Sequence, residues 1–182
     1  MIEVRLHGRG GQGAVTSAEL VAIAAINQGK YAQAFPSFGP ERRGAPVAAF
    51  VRVSDEKIRT REKVYTPDII LVLDPSLPAI IKVTEGLKED GWAIVNSHKS
   101  PDEIRKMLDF GGRIAYVDAT KIAMEVLGLP ITNTTMLGAL VKATGLVDLN
   151  YLEEALEHRF GRLAAKNKEA LHRAMEETKV LE

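Results

Sequence analysis

A run of glycines near the start of the chain has the residue types and the spacing of a phosphate-binding turn. Gly8, Gly10 and Gly13 follow the order G-x-G-x-x-G, after an apolar stretch that predicts a strand and before a stretch that predicts a helix. Glycines at these positions allow a tight turn and a close approach of the backbone to a pyrophosphate. The start of the helix adds N–H groups and a partial positive charge, and Arg9 adds a full charge. We therefore expect an anion-binding turn; the alternative is a tight strand-to-helix turn without a ligand.

The residues around this turn do not support the two commonest nucleotide sites. An NAD site needs an acidic residue roughly 20 residues farther on, to bind the ribose hydroxyls, but the chain has no Asp or Glu between Glu19 and Glu41. A P-loop needs Lys and then Ser or Thr after the last glycine, where this chain has Ala14 and Val15. We therefore expect an anionic ligand that is neither NAD nor a nucleoside triphosphate.

A second group of residues with ligand-binding chemistry lies in the stretch FPSFGPERRGAP, which begins at Phe35. Prolines and glycines make this loop stiff, and it carries Arg42 and Arg43, whose planar guanidinium groups suit phosphate or carboxylate binding. Phe35 and Phe38 offer apolar faces beside them, for stacking or for a subunit contact. In an α/β sheet the loop after the second strand lies near a glycine turn that follows the first, so we expect both groups to face one crevice. The alternative is a surface loop with solvated arginines and two phenylalanines in the core.

Strand-like and helix-like stretches alternate along the chain, which predicts an α/β fold with a mostly parallel sheet covered on both faces. The predicted strands are Ile2–His7, Tyr31–Phe35, Val47–Val53, Lys57–Thr60, Asp68–Leu73, Trp92–Asn96 and Arg113–Val117. The predicted helices are Ala14–Gln28, Leu77–Lys88, Pro101–Asp109, Lys121–Leu127, Thr134–Thr144, Tyr151–Phe160 and Leu163–Lys179. Ser54–Glu56 predicts the turn of an antiparallel hairpin between the third and fourth of these strands. We thus expect a single three-layer, Rossmann-like domain over residues 1–182, with a C-terminal helical tail from about residue 148.

Several other polar residues have a structural and a functional interpretation. Asp74 and Asp118 follow predicted strands, where a carboxylate either lines a crevice or caps the next helix; for Asp74 we favour the cap. His7 precedes the glycine turn and either touches the ligand or makes a strand-end hydrogen bond, and we favour the hydrogen bond. Ser100 and Glu103 have the spacing of a capping box at the start of a helix.

The composition restricts the classes of function. Lysine plus arginine and aspartate plus glutamate both number 24 of 182 residues, so the net charge is zero and general nucleic-acid binding is not expected. The chain has no cysteine, which excludes disulfides, cysteine-ligated iron–sulfur clusters and a cysteine nucleophile. No two of the 4 histidines have the spacing of a metal pair on one helix face, so no metal site is expected. Because the sequence shows neither a signal pattern nor an apolar run of membrane length, we expect a cytoplasmic protein without a membrane contact.

Five stretches of the sequence, taken together, resemble one known family. They are HGRGGQGAVTSAELVAIAA, AFPSFGPERRGAPVAAFVR, PDIILVLD, VDAT and PITNTTMLGALVKATG. In this order they are similar to the gamma subunit of pyruvate:ferredoxin oxidoreductase (pyruvate synthase) and of related 2-oxoacid:ferredoxin oxidoreductases. The resemblance runs from Ile2 into the C-terminal helices. The glycine turn alone is a weak signal, but the ordered combination is specific.

The resemblance implies a role within a larger enzyme. The whole complex decarboxylates a 2-oxoacid on thiamine diphosphate, passes electrons through iron–sulfur clusters to ferredoxin and transfers the acyl group to coenzyme A (CoA). Alpha, beta and delta-type subunits are the implied partners, in which thiamine diphosphate, Mg and the clusters are expected, while CoA is a substrate. Pyruvate is the first choice of 2-oxoacid, and branched-chain 2-oxoacids, 2-oxoglutarate and indolepyruvate are alternatives. A structural assembly subunit without ligand contact is a further alternative.

The resemblance also implies roles for individual residues, none of them catalytic. Contact with CoA phosphates and closure of the mouth of the active site are expected of Gly8, Arg9, Gly10, Gly11, Gln12, Gly13, Ser37, Arg42 and Arg43. Glu41 is expected to orient the arginines by a salt bridge. Thr134, Thr135 and Met136 match a third motif of the family, which we expect to serve packing or a subunit interface rather than ligand binding.

Overall fold

A seven-stranded sheet organises the computed structural model, which describes residues 1–37 and 42–182. The strands are β1 (Ile2–Arg9), β2 (Tyr31–Pro36), β3 (Pro46–Ser54), β4 (Ile69–Val72), β5 (Trp92–Asn96), β6 (Arg113–Val117) and β7 (Lys179–Leu181). Their order across the sheet is β2-β3-β1-β4-β5-β6-β7. β1, β4, β5 and β6 are parallel, whereas β3 is antiparallel to β1, β2 to β3 and β7 to β6. Since β2 therefore points along β1, most of the strands share one direction.

Helices lie on both faces of this sheet. In the described part of the chain they are α1 (Ala14–Asn27), α2 (Pro101–Leu108), α3 (Ala119–Leu127), α4 (Asn133–Thr144), α5 (Leu149–Phe160) and α6 (Ala164–Glu177). Short 3-10 turns follow β4, at Leu77–Ala79, and join α5 to α6, at Gly161–Leu163. None of the described helices is long and apolar enough to cross a membrane.

The alternating direction of side chains along each strand divides the core into two clusters. On one face of the sheet, Val4, Leu71 and Ile94 pack with apolar residues of α1, α3, α4, α5 and α6. On the other face, Ile70 and Val95 pack with α2 and with the 3-10 turn after β4. Neighbours such as Ile70 and Leu71 thus serve opposite faces, as strands covered on both sides require. The α/β fold with three layers predicted from the sequence is therefore confirmed.

The C-terminal segment packs back onto this core. Leu152 and Leu156 of α5 are buried in the larger cluster. α6 lies so close to α4 that a side chain at Gly138 would collide with the carbonyl oxygen of Leu171. After α6 the chain forms β7, which pairs with β6; the predicted helix ends at Lys179, the first residue of this strand. The predicted helical tail is thus helical as far as Glu177 and ends in a strand.

One predicted strand is wrong. Lys57–Thr60 forms no strand, so the hairpin predicted around it is also wrong, and β2 and β3 form the antiparallel hairpin instead. Side chains, rather than a neighbouring strand, bind the backbone of this segment. Gln33 donates to the carbonyl of Thr60, and Arg52 to that of Glu62. An irregular strap, residues 55–68, therefore lies where the alternation of polar residues suggested a strand.

One predicted helix is also wrong. In place of a helix over Leu77–Lys88, the chain makes a short 3-10 turn followed by further turns. The Arg5 guanidinium donates to the carbonyls of Val83 and Glu85, which in a helix would accept from the backbone instead. The other predicted elements are confirmed with ends within two residues of those observed, and the predicted capping box at the start of α2 is present.

Candidate functional site

The glycine turn joins β1 to α1 at the carboxyl end of the parallel strands. Gly13 immediately precedes α1 and has φ 83°, in the left-handed region that glycine tolerates. No side chain of the described residues caps α1 at this position. Gly11, with φ 90°, is exposed, and no described atom lies within 4 Å of the position that a Cβ would occupy. Among the described residues, the backbone of the turn is therefore open to a ligand at Gly11.

The segment that leads into β3 lies directly against this turn. The Gly10 N–H donates to the carbonyl of Ala45 over 2.8 Å, and the Gly44 N–H donates to the carbonyl of Gly10 over 3.2 Å. A side chain at Gly10 would collide with the carbonyl oxygen of Arg42. Gly10 is therefore a glycine because two backbones meet there. The expected proximity of the turn and the stiff loop is observed for residues 42–45.

The strand order explains this proximity in a way that the sequence did not indicate. The expectation rested on a sheet in which the second strand is a parallel neighbour of the first. Here β3 is the neighbour of β1 and runs antiparallel to it, with Arg9 opposite Pro46. The end of β1 and the start of β3 therefore lie side by side, and the residues that precede β3 necessarily contact the residues that follow β1.

The arginines of the loop are exposed beside the turn. Arg42 and Arg43 both face solvent, and Arg43 forms a parallel backbone bridge with Gly10. Ser37 anchors the other described end of the loop, since its N–H donates to the carbonyl of Ala48 in β3 over 2.9 Å. The predicted contributions of Phe38 and Glu41 lie outside the described residues.

Arg9 and Gln12 are bound within the protein by the carboxylate of Asp74, which lies two residues after the end of β4. The Gln12 side-chain amide donates to Asp74 Oδ2 over 2.7 Å, and the Arg9 guanidinium lies 3.3 Å from the same oxygen. The Arg9 backbone N–H in turn donates to Gln12 Oε1 over 2.7 Å. Asp74 thus holds both polar side chains of the turn.

The same guanidinium reaches two further segments. Arg9 Nη1 donates to the carbonyl of Gly44 over 2.9 Å, and Arg9 Nη2 donates to Ser76 Oγ over 2.8 Å. Arg9 therefore connects the glycine turn, the segment that carries the two exposed arginines, and the loop after β4.

Asp74 is not the helix cap that the sequence favours. It accepts from the N–H and the hydroxyl of Ser76, in a local turn, and no α-helix begins after Pro75. Partial burial alone would raise the pKa of its carboxyl, but hydrogen bonds from Ser76 and Gln12 and the charge of Arg9 outweigh burial and lower that pKa below its ordinary value. Asp118, in contrast, caps α3 by accepting from the N–H of Lys121.

Two buried polar residues of the site escaped the sequence analysis. Asn133, the first residue of α4, packs against Gly13 so closely that a Cβ there would meet its side-chain amide. Ser17 of α1 donates to the Asn133 carbonyl over 3.1 Å, and Thr132 donates to the carbonyl of Leu73 over 3.1 Å. The start of α4 thus supports the start of α1. These two residues, Thr132 and Asn133, both lie in the stretch PITNTTML, but the resemblance implied a role only for Thr134, Thr135 and Met136 of this stretch.

Those later members are core residues. Thr134, Thr135 and Met136 are fully buried, and the hydroxyl of Thr134 donates to the side chain of Asn167 in α6 over 2.7 Å. The expected role in packing is therefore confirmed for this chain.

His7 makes the expected hydrogen bond within the protein. Its Nε2 accepts from Arg5 Nε over 2.9 Å, and the ring is buried. Burial, together with the neighbouring Arg5 charge, lowers the pKa of His7 to about 3. The imidazole is therefore neutral at physiological pH and contributes no charge to the glycine turn. Within residues 1–37 and 42–182, no group of three or more His, Asp or Glu side chains could hold a metal ion.

Comparison with known proteins identifies the family. The family described as pyruvate ferredoxin/flavodoxin oxidoreductase matches residues 3–177. The pyruvate/ketoisovalerate oxidoreductases common subunit gamma of Thermococcus kodakarensis is 55% identical, with 100% of each chain covered. Pyruvate synthase subunit PorC of Methanothermobacter thermautotrophicus is 49% identical, over 100% of this chain and 98% of the relative.

A solved structure agrees with these sequence relatives. The crystal structure of pyruvate oxidoreductase subunit PORC from Thermotoga maritima superposes with a TM-score of 0.89 at 44% identity, covering 100% of this chain and 98% of the other. The resemblance noted from the sequence motifs is therefore confirmed over the full length of the fold. On the family match and on these end-to-end relatives, the chain belongs to the pyruvate ferredoxin/flavodoxin oxidoreductase family.

Proposed function

We propose that this chain is the gamma subunit of a pyruvate:ferredoxin oxidoreductase, in which it helps to bind CoA and to close the active site. The relatives that match it from end to end are named as gamma or PorC subunits of such enzymes. Other subunits are therefore its partners. We propose that these are alpha, beta and delta-type chains and that the complex is cytoplasmic.

The composition of this chain supports a division of chemistry within the complex. It has no cysteine to hold an iron–sulfur cluster. We propose that thiamine diphosphate, Mg and the clusters are held by the partner subunits, which perform the decarboxylation and the electron transfer. This chain then supplies binding and orientation for the acyl acceptor.

One observation carries the CoA proposal: the Arg42–Arg43 segment lies against Gly10 of the glycine turn, and this turn leads directly into α1. A helix N-terminus and two guanidiniums are complementary to phosphate groups, and CoA carries a pyrophosphate. No described atom fills the space at Gly11, which supports access of such a group to the backbone of the turn. Ser37, at the other end of the loop, is proposed to add a hydroxyl contact.

Selectivity for the 2-oxoacid is proposed to lie in the partner subunits. The Thermococcus relative is named as common to pyruvate and ketoisovalerate oxidoreductases, and one subunit shared by two enzymes cannot be what distinguishes their substrates. Pyruvate is our first choice for the present complex, and ketoisovalerate is the second.

Replacing the arginine pair tests the proposed site. In the assembled complex, Arg42→Ala/Arg43→Ala removes two charge-assisted contacts, each of roughly 1.5–3 kcal/mol. The KM for CoA is expected to rise about a hundredfold or more, while the KM for pyruvate stays unchanged. Steady-state kinetics with each substrate varied in turn measure both constants.

A matched control removes two charges elsewhere. Arg61 and Lys63 are exposed on the strap near the start of β1, at the opposite end of the sheet from the glycine turn. Arg61→Ala/Lys63→Ala is expected to leave the KM for CoA unchanged. If the Arg42/Arg43 variant keeps normal CoA kinetics but no longer assembles, the pair contacts a partner chain and the proposal is wrong.

A further inference from the structure

The carboxylate of Asp74 is the centre of a network that joins three segments. It binds Gln12 and Arg9 of the glycine turn, and Ser76 of its own loop. Through Arg9 the network continues to the carbonyl of Gly44, in the segment that carries the exposed arginines. The two parts of the proposed anion site are therefore connected by side chains as well as by the backbone contact at Gly10.

The charges in this network are balanced. Arg9 and Asp74 are both mostly shielded from solvent, with side-chain exposures of 24% and 13%. An ion pair in such surroundings is held more firmly than one on an open surface. The guanidinium of Arg9 has its charge matched by Asp74 and its donors directed to Ser76 and Gly44. Its geometry suits a brace between segments more than a free cation for a ligand.

We infer that Asp74 is a positioning residue for ligand binding: through Arg9 it holds the Arg42–Arg43 segment at a fixed distance from the N-terminus of α1. This inference rests on the proposed CoA site and assigns it a residue that the ligand itself does not touch. A site formed by two segments needs such a constraint, because small shifts of either segment weaken contacts that depend on both.

The substitution Asp74→Asn breaks the network with little change in volume. The side-chain oxygen of asparagine can still accept from Ser76, but its NH2 group would face the donor amide of Gln12, and the charge that holds Arg9 is lost. In the assembled complex the KM for CoA is expected to rise about tenfold, with kcat at saturating CoA and the KM for pyruvate unchanged. In the Arg42→Ala/Arg43→Ala background, Asp74→Asn should add little, because a brace has no effect without the groups that it positions.

Asp118→Asn is the matched control. Asp118 follows β6 as Asp74 follows β4, but it caps α3, and asparagine is an equally good cap. This variant is expected to leave the KM for CoA unchanged.

Hydrogen exchange in the assembled complexes gives a second measurement: the amides of Gly44 and Ala45 should exchange faster with Asp74→Asn than with Asp118→Asn. If Asp74→Asn fails to assemble, Arg9→Lys carries the same test, because lysine keeps the charge but cannot bind Gly44 and Ser76 at once.

The outcomes separate this inference from the function on which it rests. If the arginine-pair variant raises the KM for CoA while Asp74→Asn and Arg9→Lys do not, the brace is wrong and the CoA site stands. The brace is also wrong if the effects of Asp74→Asn and the arginine pair are simply additive. If none of these variants alters the KM for CoA, the CoA site itself is wrong.

Discussion

Single residues show how this fold keeps polar groups inside its sheet layer. Arg52 is 2% exposed, yet its guanidinium pairs with Glu3 over 2.8 Å and lies 5.2 Å from the ring centroid of Phe35. A buried cation is tolerated only with such partners. Arg5 and His7, two residues apart on β1, also have partners within the protein. Arg5 donates to the His7 ring and to the carbonyl of Val83 in the loop after β4.

The buried His7 leads to a prediction about pH. The unfolded chain binds a proton at His7 below a pKa of about 6.5, whereas the folded protein binds it only below about 3. The unfolded state therefore holds more protons between these two values, and stability falls as pH decreases from about 6.5, by roughly 1.4 kcal/mol per pH unit from this group. The free energy of unfolding of His7→Gln, from urea denaturation at a series of pH values, should decrease less than that of the wild type.

The control for this prediction is His98→Gln, at an exposed histidine. Its stability should follow the wild-type curve over the whole range. Parallel curves for His7→Gln and the wild type below pH 6.5 would contradict the assignment of a neutral, buried imidazole.

How far individual site residues could be predicted depended on whether they have a local pattern. The glycines, Arg42 and Arg43 have recognisable spacing or neighbours, whereas their proximity arises from the antiparallel pairing of β3 with β1, which the sequence did not indicate. The Asp74–Arg9 pair joins residues 65 positions apart, and no local pattern records such a contact. The CoA contacts assigned to the nine site residues remain a prediction.

At the level of elements, the failures share one physical cause. Helices and strands normally satisfy their own backbone groups, and sequence patterns report that local arrangement. In the strap and in the segment after β4, three side chains from the sheet, namely Gln33, Arg52 and Arg5, bind the backbone carbonyls instead. The conformation of these segments is therefore determined by contacts with residues distant in sequence, and the periodicity of the sequence does not reveal such contacts. α2 was predicted closely because its capping box is entirely local.

The contact between the glycine turn and the segment before β3 gives a prediction at this scale. Gly10→Ala places a methyl group against the carbonyl of Arg42, and since both partners are backbone, relief requires the two segments to separate. We expect a loss of about 1–3 kcal/mol in stability, measured by thermal unfolding of the chain. Gly111→Ala is the control: no described atom lies within 4 Å of its Cβ position, so its effect should stay within about 0.5 kcal/mol. Equal melting temperatures for the two variants would show that the turn and the segment are not in contact.

For the whole molecule, composition and alternation were sufficient to predict the α/β class but not the strand order. The position of β3 between β1 and β2, and the presence of β7, are decided by pairing between distant segments. A three-residue strand such as β7 is too short to have a periodic pattern of its own. That residues 1–182 form a single domain remains a prediction.

Removing β7 tests its contribution to the sheet. Deletion of residues 179–182 exposes the backbone of β6 that now pairs with Lys179, Val180 and Leu181. We expect a lower melting temperature and self-association that increases with concentration, because an unpaired strand edge can pair with another copy. Sedimentation velocity measures the association. Val180→Ala, which keeps the backbone pairing, should associate no more than the wild type; a deletion variant that also associates no more than the wild type would rule out this role for β7.

The place of β1 in the sheet has a consequence for how the chain acquires its structure. β1 precedes both of its neighbours in sequence, and its residue Val4 pairs with Val51 on one side and with Ile69 on the other. Both edges of β1 therefore stay open during synthesis until these later segments have left the ribosome. Non-local pairings of this kind slow folding and leave strand edges exposed to association. The contact between the glycine turn and the segment before β3 thus forms only after β3 has been synthesised, and the β4 edge of β1 is still open at that point.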